Sequence, residues 1–324
     1  MSASTLVDVG RRAWCRAAGL VSGMLLDAAV GDPRRYHPVS GFGAAAAALE
    51  RRTYRDSRAG GAAYAAVLVG GCAAAGGAAS RAAARHPLAD VALTAAATWA
   101  VLGGTSLRRE AGAMHGLLDE ERLPEARVRL SHLCGRDAGG MDAGALARAT
   151  VESVAENTSD AVVAPLLWGA ALGAPGLLAY RAVNTLDAMV GHRSARYARF
   201  GWASARLDDL ANLAPARLTA TLTVVLASVV DGRPAAALRA WRDGAGRHPS
   251  PNAGPVEAAF AGALGRTLGG PLSYGGRTEL RPRLGSGPPP DPADIARARR
   301  LSAAVCTAAG ACAVVLAVSR AGRR

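Results

Sequence analysis

The chain has 324 residues, 50% of them hydrophobic and only 19% charged. Disorder is excluded by that balance, because too much apolar surface is available for burial. All 38 basic residues are arginine, which excludes lysine Schiff bases, lysine nucleophiles and a P-loop lysine. The net charge of +13 is scattered in short loops between apolar runs, without the interleaved aromatics of a single-strand nucleic-acid site. It points to anionic lipid headgroups and anionic small substrates, not to nucleic acid.

The first apolar run, Trp14 to Val30, follows Arg11 and Arg12. A signal peptide has the same outline, but Asp27 inside the run and Gly31–Asp32–Pro33 after it favour a retained membrane helix. Gly61 to Ala79 contains no charge, and Leu88 to Gly104 contains only Asp90. Ala161 to Tyr180 is apolar but broken by Pro165, Gly173, Pro175 and Gly176. Leu213 to Val230 and Leu301 to Val318 follow. Segments of roughly 17–20 residues are the length of a bilayer crossing. The expected fold is therefore all-α: a polytopic helical membrane protein with about five to six hydrophobic segments, one of them re-entrant. A single membrane-embedded domain is expected over 1–324. Polar loops 31–60, 105–160, 181–212 and 231–300 would form the site, and the Pro/Gly-rich stretch 281–292 reads as a flexible linker. No strand-like alternation is visible. Cys15, Cys72, Cys134, Cys306 and Cys312 form no CxxC pair and read as buried thiols.

If all six runs cross, loop 181–212 lies on the opposite side from the other polar loops. One common site then requires parity to fail, and the broken 161–180 run is where it would fail.

Three polar clusters could carry chemistry. Glu152, Glu156 and Asp160 stand at i, i+4 and i+8, so a helix places them on one face, where like charges want a cation or an arginine. Oxygen ligands completed by phosphate suit Mg²⁺; a solvated helix face is the plainer alternative. Next, Asn184 and Asp187 share a face with Arg181, and His192 follows Gly191. Then Arg206, Asp208, Asp209, Asn212 and Arg217 crowd the approach to an apolar helix, as an N-cap and dipole complement or as a second metal or phosphate position. Arg34 and Arg35, beside His37, could fork onto a phosphate or carboxylate or anchor headgroups. The Ser250–Gly254 and Gly269–Gly276 loops could bring backbone N–H groups to phosphate.

In this order the segments Gly31–Gly43, Gly135–Trp168, Tyr180–Ala220, His248–Gly265 and Leu268–Gly276 closely resemble the CobD/CbiB family. This family comprises the adenosylcobinamide-phosphate synthases of cobalamin biosynthesis, and the similarity extends over residues 20 to 280. The resemblance implies ATP-dependent amide synthesis, in which a propionate of adenosylcobyric acid is joined to (R)-1-amino-2-propanol phosphate. It implies Mg²⁺ as cofactor and ATP as substrate. Glu152, Glu156, Asp160, Asp208 and Asp209 become the metal candidates. Arg34, Arg136, Arg181, Arg193, Arg206 and Asn252 become candidates for substrate or phosphate, and His37, His192 and Asp187 the catalytic candidates. Expected surroundings are membrane lipid and a multi-pass location in the cell (inner or plasma) membrane, with the site facing the cytoplasm. A homo-oligomer, or assembly with other membrane enzymes of the pathway, is also expected. Two alternatives stay open: a Mg-dependent prenyl- or phospho-alcohol transferase, and a non-catalytic corrinoid scaffold or transporter.

Overall fold

The computed structural model describes residues 3–33, 37–192, 194–274 and 277–319. The first helices are α1 (Ala3–Val30), α2 (Pro38–Thr53), α3 (Arg58–Ala83) and α4 (Pro87–Val101). Then come α5 (Gly104–Asp119), α6 (Leu123–Leu130) and α7 (Ala143–Thr158). A π-helical turn at Ser159–Val163 leads to α8 (Ala164–Leu172) and α9 (Ala174–Leu186), and a second one occupies Asp187–Gly191. Beyond it lie α10 (Tyr197–Phe200), α11 (Trp202–Ala211), α12 (Leu213–Val225), α13 (Pro234–Gly244) and α14 (Ala253–Leu264). An antiparallel hairpin, β1 (Thr267–Tyr274) with β2 (Arg277–Gly285), precedes α15 (Pro292–Ser319).

Helix starts follow local chemistry. Proline in the first turn opens α2, α4, α6, α9 and α13, where its missing N–H costs nothing. Ser57 caps α3 through the Gly60 N–H, and Asp142 caps α7 through the Ala145 N–H.

Among the described residues, four stretches are long and apolar enough to cross a membrane: Gly10–Val30, Arg58–Ala83, Pro87–Asp119 and Pro292–Ser319. The chain is an all-α polytopic membrane protein. Two of the expected crossings are shorter than the sequence suggested. Leu213–Val230 becomes the 13-residue α12 and a 3-10 turn, and Ala161–Tyr180 is divided between α8 and α9. Each of these helices falls short of the ~20 residues a full crossing takes.

The chain divides into two compact units of interleaved segments. Unit 1 comprises residues up to Gly103, Ala164–Asn212 and the chain from Ala309; unit 2 comprises Gly104–Val163 and Leu213–Ala308.

In unit 1, α1 and α4 run parallel. Gly19 and Gly23, one turn apart on α1, face Thr94 and Thr98 so closely that a Cβ on either glycine would overlap a threonine side chain. Small residues at this spacing let helix backbones approach where lipid offers no hydrophobic drive. Gly23→Leu is expected to cost about 1–3 kcal/mol through overpacking. A thermal melt in detergent checks it; an unchanged midpoint would show that the helices separate without penalty.

α3 runs antiparallel to α9, with Gly76 against Pro175 and Gly61 against the Phe200 backbone. Beside that contact, Tyr64, Leu186, Val190 and Phe200 form a buried core, and the Tyr54 and Tyr64 rings lie 5.2 and 5.1 Å from Phe200. The C-terminal end of α1, the N-terminal end of α3 and the C-terminal end of α4 therefore share one end of this bundle. There Trp99 Nε1 donates to the Gly31 carbonyl at 3.0 Å. The opposite end holds the bend between α8 and α9. Gly173 turns at φ +72°, and Arg16 donates to the Ala170 and Ala171 carbonyls at 3.2 Å each. From this bend α9 returns to the first end. The 161–180 run is a bent helical pair, which is how its Pro and Gly residues act.

Every residue of α14 in unit 2 is buried. Gly262 lets α13 pack against it, and Gly265 ends it at φ +67°. Past that cap, Asp294, 1% exposed, binds Arg266 at 2.7 Å and Arg297 at 2.8 Å. Arg297 also donates to the Leu264 carbonyl at 2.9 Å. The hairpin corrects the linker expectation, because Arg281–Gly285 is paired strand. A bulge between Leu268 and Gly270, positive φ at Gly269 and Gly270, and prolines at 271 and 282 erase its alternation in the sequence.

Candidate functional site

The densest polar group lies in unit 2, on α7, α14 and the hairpin. Glu152 is 1% exposed. One of its oxygens accepts from Arg136, itself buried, and the other accepts from the Gly269 N–H at 2.6 Å. Each carboxylate oxygen thus carries a hydrogen bond that ties α7 to Arg136 on one side and to the hairpin on the other. The same bond removes the Gly269 N–H from any phosphate cradle. Arg148, on the same helix, donates to the Pro271 carbonyl at 3.1 Å and ties the hairpin to α7.

Glu156, one turn on, is accessible along its own surface, yet enough protein surrounds it to raise its carboxyl pKa. Burial is the main cause; the Glu152 charge acts the same way, and Arg136 and Arg281 pull against both. Asp160 falls beyond the regular part of this helix. The helix widens into its π turn at Ser159, and the i, i+4, i+8 rule assumes 3.6 residues per turn throughout.

Sequence reasoning missed three members of this group. His248 and Glu257 are buried, with His248 Nε2 3.9 Å from Glu257 Oε1. Arg281 of β2 lies with a guanidinium nitrogen 3.0 Å from His248 Nε2, and His248 Nδ1 accepts from the Ser250 N–H at 3.1 Å. Burial pushes the Glu257 carboxyl well above the ordinary carboxylate range; the Glu152 and Glu156 charges add to this, and Arg136 and Arg281 oppose it. The available signal was a lone Glu in the otherwise apolar run Ala253–Leu264, since a carboxyl is seldom buried without partners. Asn252 is also buried, its amide oxygen accepting from Arg217 at 2.9 Å.

Unit 1 assembles a second group at the end of the bundle that carries the Phe200 core. Arg181 donates to Asn184 Oδ1, and Asn184 Nδ2 donates to Asp208 Oδ1, both at 3.4 Å, which links α9 to α11. Asp187 opens the second π turn, where its carboxylate lies over Gly191 so closely that no Cβ fits there. Asp209 turns to Arg206 instead, 3.7 Å away on an exposed flank, a pair of little energetic weight. His37 caps α2: its Nδ1 accepts from the Val39 N–H at 3.1 Å, and Nε2 lies 3.7 Å from Asp32. His192 stands edge-on to Tyr197, ring centres 5.0 Å apart. Arg196 lies 4.0 Å over the Tyr54 ring and bonds Glu50 at 3.0 Å, bracing that loop. Arg34 and Arg193 lie outside the described residues.

Among the described residues, no three His, Cys, Asp or Glu side chains group to hold a metal ion. What the two clusters offer is oxygen donors and guanidinium groups. That chemistry suits Mg²⁺ carried in with substrate phosphates, which needs only one or two carboxylates from the protein.

Comparison with known proteins places these residues in a family context. A family model described as CobD/Cbib protein matches residues 20–302. The chain is 53% identical over 305 residues to a protein named Cobalamin biosynthesis protein CobD from Mycobacterium tuberculosis, covering 94% of this chain and 97% of that one. A protein of the same name from Chromobacterium violaceum is 45% identical over 283 residues (86% and 89%), and one from Geobacter metallireducens 45% over 279 (83% and 86%). No solved structure matches.

Proposed function

The chain belongs to the CobD/CbiB family of cobalamin biosynthesis, and from that premise we propose that it is the enzyme joining adenosylcobyric acid to (R)-1-amino-2-propanol phosphate. In this reading the propionate attacks the γ-phosphorus of ATP, giving an acyl phosphate and ADP. The amine then attacks the acyl carbon, the amide forms, phosphate leaves, and one proton goes to a base.

The observation that carries the reading is the unit 2 group of Arg136, Glu152, Glu156, His248, Glu257 and Arg281. So many ionisable side chains, most of them buried, are expensive to hold unless they do something beyond packing. Arg136 is oriented by Glu152 and Arg281 by His248. The two guanidinium groups are thus held ready for phosphate or carboxylate oxygens, which a planar fork matches well. Glu156 is the accessible carboxylate of the group and would hold Mg²⁺ there; within unit 1, Asp187 and Asp208 offer carboxylate oxygens of the same kind. When bound, Mg²⁺ would neutralise triphosphate charge during transfer. Within unit 1, His192, whose ring makes no hydrogen bond among the described residues, suits proton uptake better than His37, whose Nδ1 is occupied as a helix cap.

Purified protein supplied with adenosylcobyric acid, aminopropanol phosphate and Mg-ATP is expected to yield amide and ADP in equal amounts. Glu156→Gln and Arg281→Ala are each expected to lower kcat/KM about 10–100-fold, the usual cost of losing a metal or metal-supporting group. Corrinoid binding without ADP release would favour the scaffold or transporter reading, and wild-type turnover in both variants would move the site elsewhere. We place the enzyme as a multi-pass protein of the cell (inner or plasma) membrane with its site toward the cytoplasm, where ATP is supplied. Assembly as a homo-oligomer or with other membrane enzymes of the pathway belongs to the same reading.

A further inference from the structure

Two cavities of unit 1 both draw part of their lining from Leu172, beside the bend between α8 and α9. One is small, about 100 Å³, and polar, lined by Arg12, Arg16, Ser80, Asp90 and Thr94 together with the bend itself. It lies where three membrane-crossing stretches have their ends: the first turns of Gly10–Val30, the last turns of Arg58–Ala83 and the first turn of Pro87–Asp119. That is headgroup depth. Beside it Arg11 donates at 3.3 Å to the carbonyl of Ala84, one of the lining residues. Asp90 offsets one positive charge, and Ser80 and Thr94 add hydroxyl donors.

The second cavity, about 270 Å³, runs from Leu172 along Gly176, Ala179 and Val183 of α9, with Leu207 and Leu210 of α11 opposite. Its two polar tips are spent on the protein: Tyr180 donates to Asn212 at 2.8 Å and Trp168 to the Ala211 carbonyl at 3.0 Å. It therefore presents hydrocarbon, and the exposure of Leu172 and Leu210 leaves it open along its length.

We propose that the pair is one binding site for an anionic phospholipid, its phosphate in the Arg12–Arg16 cavity and one acyl chain along the α9–α11 groove. The order of chemistries matches the molecule: cationic and hydroxyl donors at the level of the helix ends, then a purely apolar channel leading toward the middle of the bundle. A soluble phosphate would use only the first cavity, and a neutral lipid only the second. Arg16 also holds the last carbonyls of α8, so an occupant would brace the Gly173 bend from outside.

The test is thermal unfolding of the delipidated full-length protein in detergent, with added dioleoyl phosphatidylglycerol, dioleoyl phosphatidylcholine or inorganic phosphate. Phosphatidylglycerol is expected to raise the midpoint by several degrees, as a ligand selective for the folded state must. The other two additions are expected to give at most a small part of that rise. Arg12→Gln and, separately, Ala179→Trp, which plugs the groove without touching the arginines, are each expected to remove most of it. An equal rise with phosphatidylcholine, a full rise with phosphate alone, or an undiminished rise in either variant would overturn the proposal. None of these readouts depends on catalytic activity, so failure here leaves the amide-synthesis reading intact.

Discussion

Glu152→Ala is expected to unfold far more easily than the wild-type chain, with a loss of about 3–5 kcal/mol, the range for removing one partner of a buried ion pair. The substitution leaves the Arg136 guanidinium buried without its carboxylate and takes away the acceptor of the Gly269 N–H at the bulge. Glu152→Gln keeps one acceptor and should lose less. The double change Glu152→Leu with Arg136→Met should recover part of the loss, since a neutral pair of similar bulk carries no stranded charge. Denaturant unfolding in detergent measures all three. A loss below about 1 kcal/mol in the alanine variant, with no recovery in the double, would mean that water reaches Arg136 in the folded chain.

The second large effect concerns pH. Glu257 holds its proton more tightly in the folded protein than in the unfolded chain, chiefly through burial. Above the ordinary value of 4.5 the folded state therefore binds more protons than the unfolded one, and stability falls as pH rises toward the raised folded value. The contribution is intact at acid pH and is lost in the alkaline direction, by about 1.4 kcal/mol for each unit of displacement. Glu156, displaced the same way, adds to the slope. Glu257→Gln, which mimics the protonated side chain, should match wild type near pH 5 and exceed it increasingly toward pH 8. Parallel stability curves for the two proteins across that interval would show Glu257 to be ordinarily ionised.

How much of this was readable beforehand depended on whether local rules held. The Glu152–Glu156 spacing follows from a regular helix and was visible at i, i+4; Asp160 was expected on the same face, because the widening at Ser159 leaves no compositional mark. Likewise the break in Ala161–Tyr180 was signalled by Gly173 and Pro175, although only coordinates show that the chain turns back there. Glycines at 269 and 270 and prolines at 271 and 282 suppress the period-two pattern, so 269–276 read as a Gly-rich loop and the chain from 281 as linker. His248 and Glu257 lay inside a quoted motif yet drew no role, since their meaning comes from Arg281, a residue of the hairpin that the reading had dissolved. Asp294 was equally silent: its partners Arg266 and Arg297 look like routine surface charge until α14 ends between them.

Unit 1 takes its last piece from the far end of α15, where Gly310 leaves just enough room for the Met24 side chain of α1. A ribosome delivers α1 first and that closing piece last, so during synthesis the earliest helix must wait in the bilayer with one flank uncovered while nearly all of the polypeptide is made. Nascent chains stalled before residue 309 should accordingly cross-link through position 24 to lipid or insertion machinery, and only released chains should shield it.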